Sequence, residues 1–391
     1  MNLAPPTARL TRRRPGRWLL WSLGGLGIVV VLRFLLFRGP ILPPTSLSPE
    51  KFVDLHVHTA GIGAGDSGCF VSGTLQSSYK FDLYLKSFGT SRARVAAEGD
   101  ASIIRHLAEE VGASRQVSHA VVLALDGAID ESTGELDRPR TEVYVPNEFV
   151  ARETARFTNL LWGASINPLR PDALQRLDWA AAHGAVLVKW IPGIMHFSPD
   201  DVRCTAFYQR LVELQLPLLC HAGQERSFTQ AQDELGDPVR LRLPLSLGVS
   251  VIAAHIASTG ANEGERDTDR LVRLMREFPT LRTEVSSLTQ INKPGYLREA
   301  LLRPEFRGRL AYGSDYPLIN TALVSPWHYP RELSVAQMQR LSAETNSWDR
   351  DVALKQALGV PNEVFARSGD WLRPGWRDRP RSPAATQAVA K

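Results

Sequence analysis

Two histidines spaced two residues apart are the first residues of this 391-residue chain whose types and spacing point to chemistry. They are His56 and His58, in the segment Asp-Leu-His-Val-His at residues 54–58. In a strand, alternation sends both side chains to one face, where two imidazoles can bind one metal ion. The spacing alone is a weak signal, so its companions along the chain decide its meaning.

Four further residues that can bind metal stand at the ends of later apolar runs: Lys189, His221, His255 and Asp315. A single histidine after an apolar run is more often a hydrogen-bonded core or rim residue than a ligand. The four ends and the histidine pair together favour one shared site. Active sites of parallel barrels lie at the carboxyl ends of the strands, where all six residues fall.

Lys189 carries an implication of its own, because only seven of the 46 basic residues are lysine. Burial lowers the pKa of an amine, and a neutral amine can add CO₂ to form a carbamate that bridges two metal ions. Arginine cannot do this. The alternative is a lysine that binds a substrate anion or pairs with a carboxylate.

Five residues near these ligands are candidates for binding a substrate: Trp190, His196, Gln224, Glu225 and Arg226. His196 lies in the loop after Lys189, and the last three follow His221. Arg226 is a candidate partner for an acidic substrate group, and a solvated surface cation is the alternative for it.

The elements that must position these residues alternate between strands and helices. We predict strands over 52–56, 117–125, 160–166, 185–191, 216–221, 249–255, 281–286 and 309–313, several of them apolar throughout, as in strands covered on both faces. Helices are predicted over 172–183, 200–215 and 267–278. Eight such units favour an α/β fold, the (β/α)₈ TIM barrel, over an open doubly wound sheet. The glycine-rich stretch 61–65 opens no convincing helix and lacks the form of a phosphate-binding turn.

The amino-terminal segment is typical of a targeting or membrane-anchoring sequence and not of the folded domain. Five arginines in residues 1–17 precede an apolar stretch over 18–37, and prolines follow in the linker 38–50. This order predicts a cytoplasmic N-terminus and an uncleaved membrane anchor in the inner or plasma membrane. A cleaved signal peptide and a segment lying on the membrane surface are the alternatives. The catalytic domain, residues 51–366, would then be periplasmic or otherwise extracytoplasmic. A Pro- and Arg-rich tail over 367–391 follows, which we expect to pack loosely or to be disordered.

Charge and cysteine content exclude other classes of function. The net charge of +5 belongs to the two ends of the chain, and the stretch between them is acidic overall. A basic groove for nucleic acid is therefore not supported. The three cysteines show no CxxC spacing, which argues against a disulfide framework and a zinc knuckle. The expected partner is a small-molecule substrate, and the sequence does not indicate an oligomeric state.

The ordered motifs resemble the amidohydrolase superfamily, in particular its amidohydrolase-related branch (amidohydrolase family 2), which includes metal-dependent hydrolases and some decarboxylases. The motifs are DLHVH at 54–58, VKWIPG at 188–193, LPLLCHAGQE at 216–225, DPVRL with GVSVIAAH within 237–255, and YGSDYP at 312–317. The resemblance spans residues 52–317. As a set these motifs are specific for the superfamily and nearly silent on the substrate.

The resemblance implies how the six residues share the metal. His56 and His58 would bind the deeper ion with Asp315. A carbamylated Lys189 would bridge to a second ion held by His221 and His255. In single-metal members His221 completes the site, and His255 orients water and the substrate carbonyl. One ion or two is therefore left open.

These residues predict an enzyme, a metal-dependent hydrolase of an ester, lactone or amide, with a divalent metal such as zinc as the cofactor. The expected catalytic residues are Asp315, which moves the proton, and His255. A metal-dependent decarboxylase of an aromatic acid is the alternative. A non-enzymatic, membrane-tethered binding scaffold is a third possibility, which predicts damaged ligands, whereas all six are present.

Overall fold

Eight short parallel strands form a barrel in the computed structural model, which describes residues 16–43 and 50–378. The strands are β1 (Phe52–His58), β2 (Val117–Leu123), β3 (Leu160–Gly163), β4 (Val188–Trp190), β5 (Leu218–Cys220), β6 (Val251–Ala253), β7 (Arg282–Glu284) and β8 (Leu310–Ala311). Their residues are almost entirely buried. The helices cover the outer face of each strand, and side chains in the interior of the barrel cover the inner face.

Two runs of neighbouring strands make up the barrel. β1, β2 and β3 pair in sequence, and so do β4 to β8. A parallel bridge between Ala164 and Val188 joins β3 to β4, and another between Val57 and Tyr316 joins the end of β8 to β1. Closure leaves no strand edge open within the barrel. The predicted (β/α)₈ fold is confirmed.

Helices lie between and around the strands. They span Gly16–Leu36, Gly73–Ser77, Tyr79–Ser87, Arg92–Glu98, Ala101–Ala113, Asn147–Thr154, Ala173–Ala182, Pro192–Met195, Thr205–Glu213, Arg242–Ser246, Asp267–Glu277, Tyr296–Leu302, Val335–Ser342, Ser347–Ala357 and Asn362–Ala366. Two short antiparallel pairs, Phe70–Val71 with Val143–Tyr144 and Ala261–Asn262 with Glu265–Arg266, lie in the loops. The helices predicted over 172–183, 200–215 and 267–278 form with somewhat shorter bounds.

The strands are shorter than the apolar runs that predict them. At β6 the cause is visible in the backbone, because His255, Ile256 and Ala257 have positive φ of 56°, 52° and 50°. A left-handed run cannot continue a strand. The run predicted as a strand over 249–255 therefore ends early and turns its last histidine away from the ladder.

The amino-terminal end of the barrel is closed by residues that follow the predicted catalytic domain. Trp371 and Leu372 are 5% and 4% exposed and pack against the inward-facing side chains of the strands. The Arg373 amide donates to the Val186 carbonyl at 2.9 Å. The expectation of a loosely packed tail from residue 367 is wrong for 367–378, because this segment buries apolar side chains in the barrel. Residues 379–391 lie outside the described residues.

A helix forms over Gly16–Leu36 and overlaps most of the segment predicted as a membrane anchor over 18–37. Across the described parts of the chain, no helix combines the length and the apolar character needed to cross a membrane. The Arg33 guanidinium donates to the Leu333 carbonyl. Residues 1–15 of the predicted basic segment and 44–49 of the predicted linker lie outside the described residues.

Candidate metal centre

The end of β1 brings the first histidine pair into one cluster with Asp315. The Nε2 atoms of His56 and His58 are 3.2 Å apart. The Asp315 Oδ1 atom lies 3.7 Å from His56 Nε2 and 3.4 Å from His58 Nε2. His56 is fully buried and His58 partly exposed, so the cluster opens toward the carboxyl end of the barrel. These three residues form a group whose donor atoms are close enough to hold a metal ion.

The backbone fixes Asp315 relative to β1. Its amide donates to the His56 carbonyl at 3.0 Å, and its φ is 60°. Burial acts to raise the pKa of the Asp315 carboxyl, but His255, His56 and His58 outweigh burial and hold the pKa well below its usual range. The carboxylate is therefore ionised, as a metal ligand or a proton acceptor must be.

Lys189 is fully buried at the end of β4 and points into the same cluster. Its Nζ lies 3.1 Å from His56 Nε2. In the described part of the chain, no carboxylate lies within ion-pair distance of this amine. Burial lowers the pKa of Lys189. A desolvated amine beside a candidate ligand atom has the environment that carbamate formation requires.

His221 and His255 complete the set of six. Their ring centroids are 5.3 Å apart, and the His255 ring stacks on that of His56 at 5.0 Å. Burial lowers the pKa of both histidines, which keeps them in the neutral form that binds metal. His221 Nε2 is buried without a hydrogen-bond partner among the described residues. A buried, unpartnered imidazole nitrogen beside this donor set fits a metal ion.

Asp54, the first residue of the DLHVH segment, is fully buried and connects β1 to the segment that follows β8. Its Oδ1 accepts the amides of His56 at 3.1 Å and Ser314 at 3.0 Å, and its Oδ2 accepts Trp348 Nε1 at 2.7 Å. Burial raises the pKa of Asp54 to about 7. The residue therefore sets the backbone positions on either side of the cluster, a role that the sequence analysis did not assign.

Two charged residues near the site were also missed, Glu284 at the end of β7 and Lys293 in the loop after it. Glu284 Oε1 lies 3.3 Å from His56 Nδ1 and 3.4 Å from His255 Nδ1. Lys293 is 9% exposed and donates to the Ser287 hydroxyl at 2.9 Å. Burial lowers its pKa, with Asp315 and Glu284 acting in the opposite direction. The available signal for Glu284 was its position near the end of the strand predicted over 281–286, since Lys189 was identified by its position in a predicted strand in the same way.

Trp190 does not line the site, contrary to the sequence-based expectation. Because β4 alternates, Lys189 points inward and Trp190 points toward the helices. The indole is fully buried, donates to the Ile166 carbonyl at 2.8 Å and packs edge-on against Phe197 at 4.8 Å between ring centroids. Trp190 belongs to the core.

The loop after β5 places the remaining candidates differently. Glu225 Oε2 lies 3.6 Å from His221 Nδ1, so this carboxylate reaches the cluster. Arg226 is exposed and donates two hydrogen bonds to Gln224 Oε1, at 2.9 and 2.8 Å. These two side chains therefore bind each other at the surface. His196 is half-buried, and its Nε2 has no hydrogen-bond partner among the described residues. Burial lowers the pKa of His196.

A cavity of about 830 Å³ lies at the opposite end of the barrel from this cluster. Its lining includes Phe52, Ser118 and Leu160 near the starts of β1, β2 and β3, with Arg373 and Trp376 from the closing segment. None of the predicted ligands lines it. The chemistry-bearing residues and this cavity are therefore separate features of the barrel.

Similarity to known proteins agrees with the geometry. The family model described as amidohydrolase matches residues 53–347. No curated protein sequence gives a match. Among solved structures, an uncharacterised TIM-barrel protein from Bordetella bronchiseptica is similar with a TM-score of 0.47 and 15% identity, over 79% of this chain and 99% of that one.

Two further solved structures are similar at the same distant level. A putative 2-pyrone-4,6-dicarboxylic acid hydrolase from Pseudomonas putida has a TM-score of 0.44 and 17% identity, over 82% of this chain and 97% of its own. A 2,6-dihydroxybenzoate decarboxylase from Rhizobium has a TM-score of 0.44 and 14% identity, over 75% and 100%. The family model covers well over half of the sequence and all six candidate ligands, and the chain belongs to the amidohydrolase family.

Proposed function

We propose that the protein is a metal-dependent hydrolase that cleaves an ester, lactone or amide of a small molecule. One observation carries the proposal: an ionised, buried Asp315 shares a donor cluster with His56 and His58, and a neutral His221 with an unpartnered nitrogen lies at the same end of the barrel. A site that concentrates neutral imidazoles and one carboxylate has the ligand chemistry of zinc and similar divalent ions.

The donor set suits one ion or two. His56, His58 and Asp315 would hold the first, and Lys189 as a carbamate with His221 and His255 would hold the second. A divalent ion in such a site lowers the pKa of water to about 7 and polarises a carbonyl oxygen.

Asp315 has the position and protonation state of a proton acceptor. Its carboxylate is ionised beside the histidines, so it can take a proton from an attacking water and pass it to the leaving group. His255 stacks on His56 and is neutral, so it can orient the substrate carbonyl. Glu225, at the His221 edge of the cluster, is the best placed of the predicted substrate-binding residues.

A decarboxylase acting on a carboxylic acid is the second candidate, and buried Lys293 favours it. The Lys293 Nζ donates one hydrogen bond to the Ser287 hydroxyl, and its other N–H groups can donate to a carboxylate of a substrate. In that reaction the bond from the carboxylate carbon breaks, CO₂ leaves and a proton takes its place. Release of CO₂ distinguishes it from hydrolysis, which consumes water and releases an acid with an alcohol or amine.

The test uses full-length protein loaded with zinc or manganese and a panel of esters, lactones, amides and aromatic acids. We expect hydrolysis by the wild type and a loss of about 10²- to 10⁴-fold in kcat for Asp315→Asn, with metal retained, because proton transfer contributes that much. Asp349→Asn is the matched control, since Asp349 is a buried carboxylate that bonds Ser114 and Arg115 away from the site. Full activity of Asp315→Asn would refute the assigned role, and CO₂ release without hydrolysis would favour the decarboxylase.

A further inference from the structure

Glu284 faces two candidate ligand histidines at once. The residue ends β7, and its side chain is fully buried. A single oxygen, Oε1, lies 3.3 Å from His56 Nδ1 and 3.4 Å from His255 Nδ1. The other nitrogen of His56, Nε2, faces His58, Lys189 and Asp315. The carboxylate therefore lies behind His56, on the side away from the donor cluster.

The Ser286 hydroxyl connects the same groups and fixes the direction of the hydrogen bonds. Its Oγ lies 2.7 Å from Glu284 Oε1, 2.7 Å from His255 Nδ1 and 3.2 Å from His56 Nδ1. The Ser286 carbonyl, which only accepts, lies 3.3 Å from His255 Nδ1, so the Ser286 hydroxyl can direct its single proton to Glu284. The hydroxyl must then accept from His255, which requires a proton on His255 Nδ1. His56 Nδ1 faces the same acceptors and carries a proton for the same reason.

Backbone amides fix the orientation of the Glu284 carboxylate. The His255 amide donates to Glu284 Oε1 at 2.9 Å, and the Ser286 amide donates to Oε2. The first of these bonds anchors the left-handed turn that presents His255. Because both carboxylate oxygens accept from the backbone, the orientation of the carboxylate is fixed without any metal.

We propose that Glu284, with Ser286, is a positioning residue that keeps His56 and His255 as Nδ1–H tautomers, so that each offers an unprotonated Nε2. The proposal deepens the proposed function and rests on it for the identity of the ligands. Outer carboxylates that hold metal-binding histidines in this way affect metal affinity by about 10- to 100-fold when removed.

The test variant is Glu284→Gln in the full-length chain. An amide has one oxygen where the carboxylate has two, so either the histidines or the Ser286 amide must face an NH₂ group. We expect His56, His255 or both to lose the Nδ1–H tautomer in the metal-free protein, read from ¹⁵N-histidine NMR with assignments from single His→Asn variants. We expect the zinc Kd, from competition with a chromophoric chelator, to rise about 10- to 100-fold.

Asp349→Asn is the control, because it removes a buried carboxylate charge elsewhere and should leave both readouts unchanged. An Nε2–H tautomer of His56 or His255 in the metal-free wild type would overturn the proposal, even if Glu284→Gln failed to fold. Unchanged tautomers or an unchanged zinc Kd in a folded Glu284→Gln variant would also overturn it. Wild-type protein that binds no metal but shows both Nδ1–H tautomers would refute the proposed function and leave the positioning role standing.

Discussion

At the residue scale, the charge state of each side chain in the cluster follows from burial. His56, His221 and His255 are neutral because an imidazolium would lose its hydration there. The pKa of Asp315 lies well below its usual range, so this carboxyl is ionised at neutral pH. Neutral nitrogen donors beside one anionic oxygen can bind a divalent cation without first releasing protons. The folded chain therefore presents its ligands in the form that a metal ion requires.

Lys189→Met tests the carbamate directly. If Lys189 bridges two ions, methionine keeps the buried volume and removes the bridge, so the metal content should fall from two ions per chain to one. Elemental analysis of the zinc-loaded protein measures this content. Lys51→Met is the matched control, since Lys51 donates to the Ser114 carbonyl near the start of β1. Two ions retained in Lys189→Met, or one ion in the wild type, would contradict the bridge.

His196 should make stability depend on pH. Burial lowers its pKa below the usual value of 6.5, so the unfolded chain binds this proton more readily than the folded chain. Its effect is absent above that value, and stability falls as the pH drops through 6.5 toward the lowered pKa. Asparagine tolerates the positive φ of 56° at this position. Urea unfolding of the metal-free protein at about pH 7 and pH 5 measures the free energy of unfolding. This free energy should fall less for His196→Asn than for the wild type, and equal falls would refute the role of His196.

The sequence could predict that the six candidate ligands lie together because each stands near the end of a predicted strand, which is a local property. Trp190 lies outside the cluster because neighbouring residues of a strand point to opposite faces, and Lys189 takes the inward face. The role of Glu284 could not be predicted because it depends on a contact with His56, which is 228 residues away along the chain. Such contacts appear only when β1, β6 and β7 are assembled.

At the element scale, the short strands and the turns that follow them set the site. The left-handed residues after β6 and the positive φ of Asp315 after β8 turn side chains from the ladder toward the centre. Apolar runs predicted the order and number of strands, because burial on both faces is visible in composition. They could not predict where each strand ends, since that depends on backbone turns stabilised by distant partners such as Glu284.

Trp371 should be a main determinant of stability at the amino-terminal end of the barrel. It is 5% exposed and packs with the inward residues of several strands, so Trp371→Ala should lower the free energy of unfolding by about 3–5 kcal/mol. Urea denaturation measures the change. Trp327→Ala is the matched control, because Trp327 is 51% exposed and should cost much less. Equal costs would show that the closing segment adds no packing energy.

The closing segment, residues 367–378, also shows that amino-acid composition alone does not predict whether a segment is packed. Its Pro- and Arg-rich sequence is typical of a loose tail, yet Ser368, Trp371 and Leu372 are buried. What the segment covers is the open end of the barrel, and a sequence pattern read along the chain does not show that a barrel end needs a cover.

At the scale of the whole molecule, chemistry and closure occupy opposite ends of one barrel. The carboxyl ends of the strands carry the donor cluster, and at the amino-terminal end Trp371 packs against inward-facing apolar side chains. This division is the usual one in barrel enzymes, where loops at one end vary in function while the other end maintains stability. The extracytoplasmic location of the domain stays a prediction.

The most direct measurement of the central claim is a titration of metal-free, full-length protein with zinc, following bound metal and hydrolysis of a responsive substrate together. We expect no turnover without metal, a rise in turnover in proportion to the metal bound, and a plateau at one or two ions per chain. Full hydrolysis by the metal-free protein, or stoichiometric zinc binding that fails to change turnover, would contradict the claim.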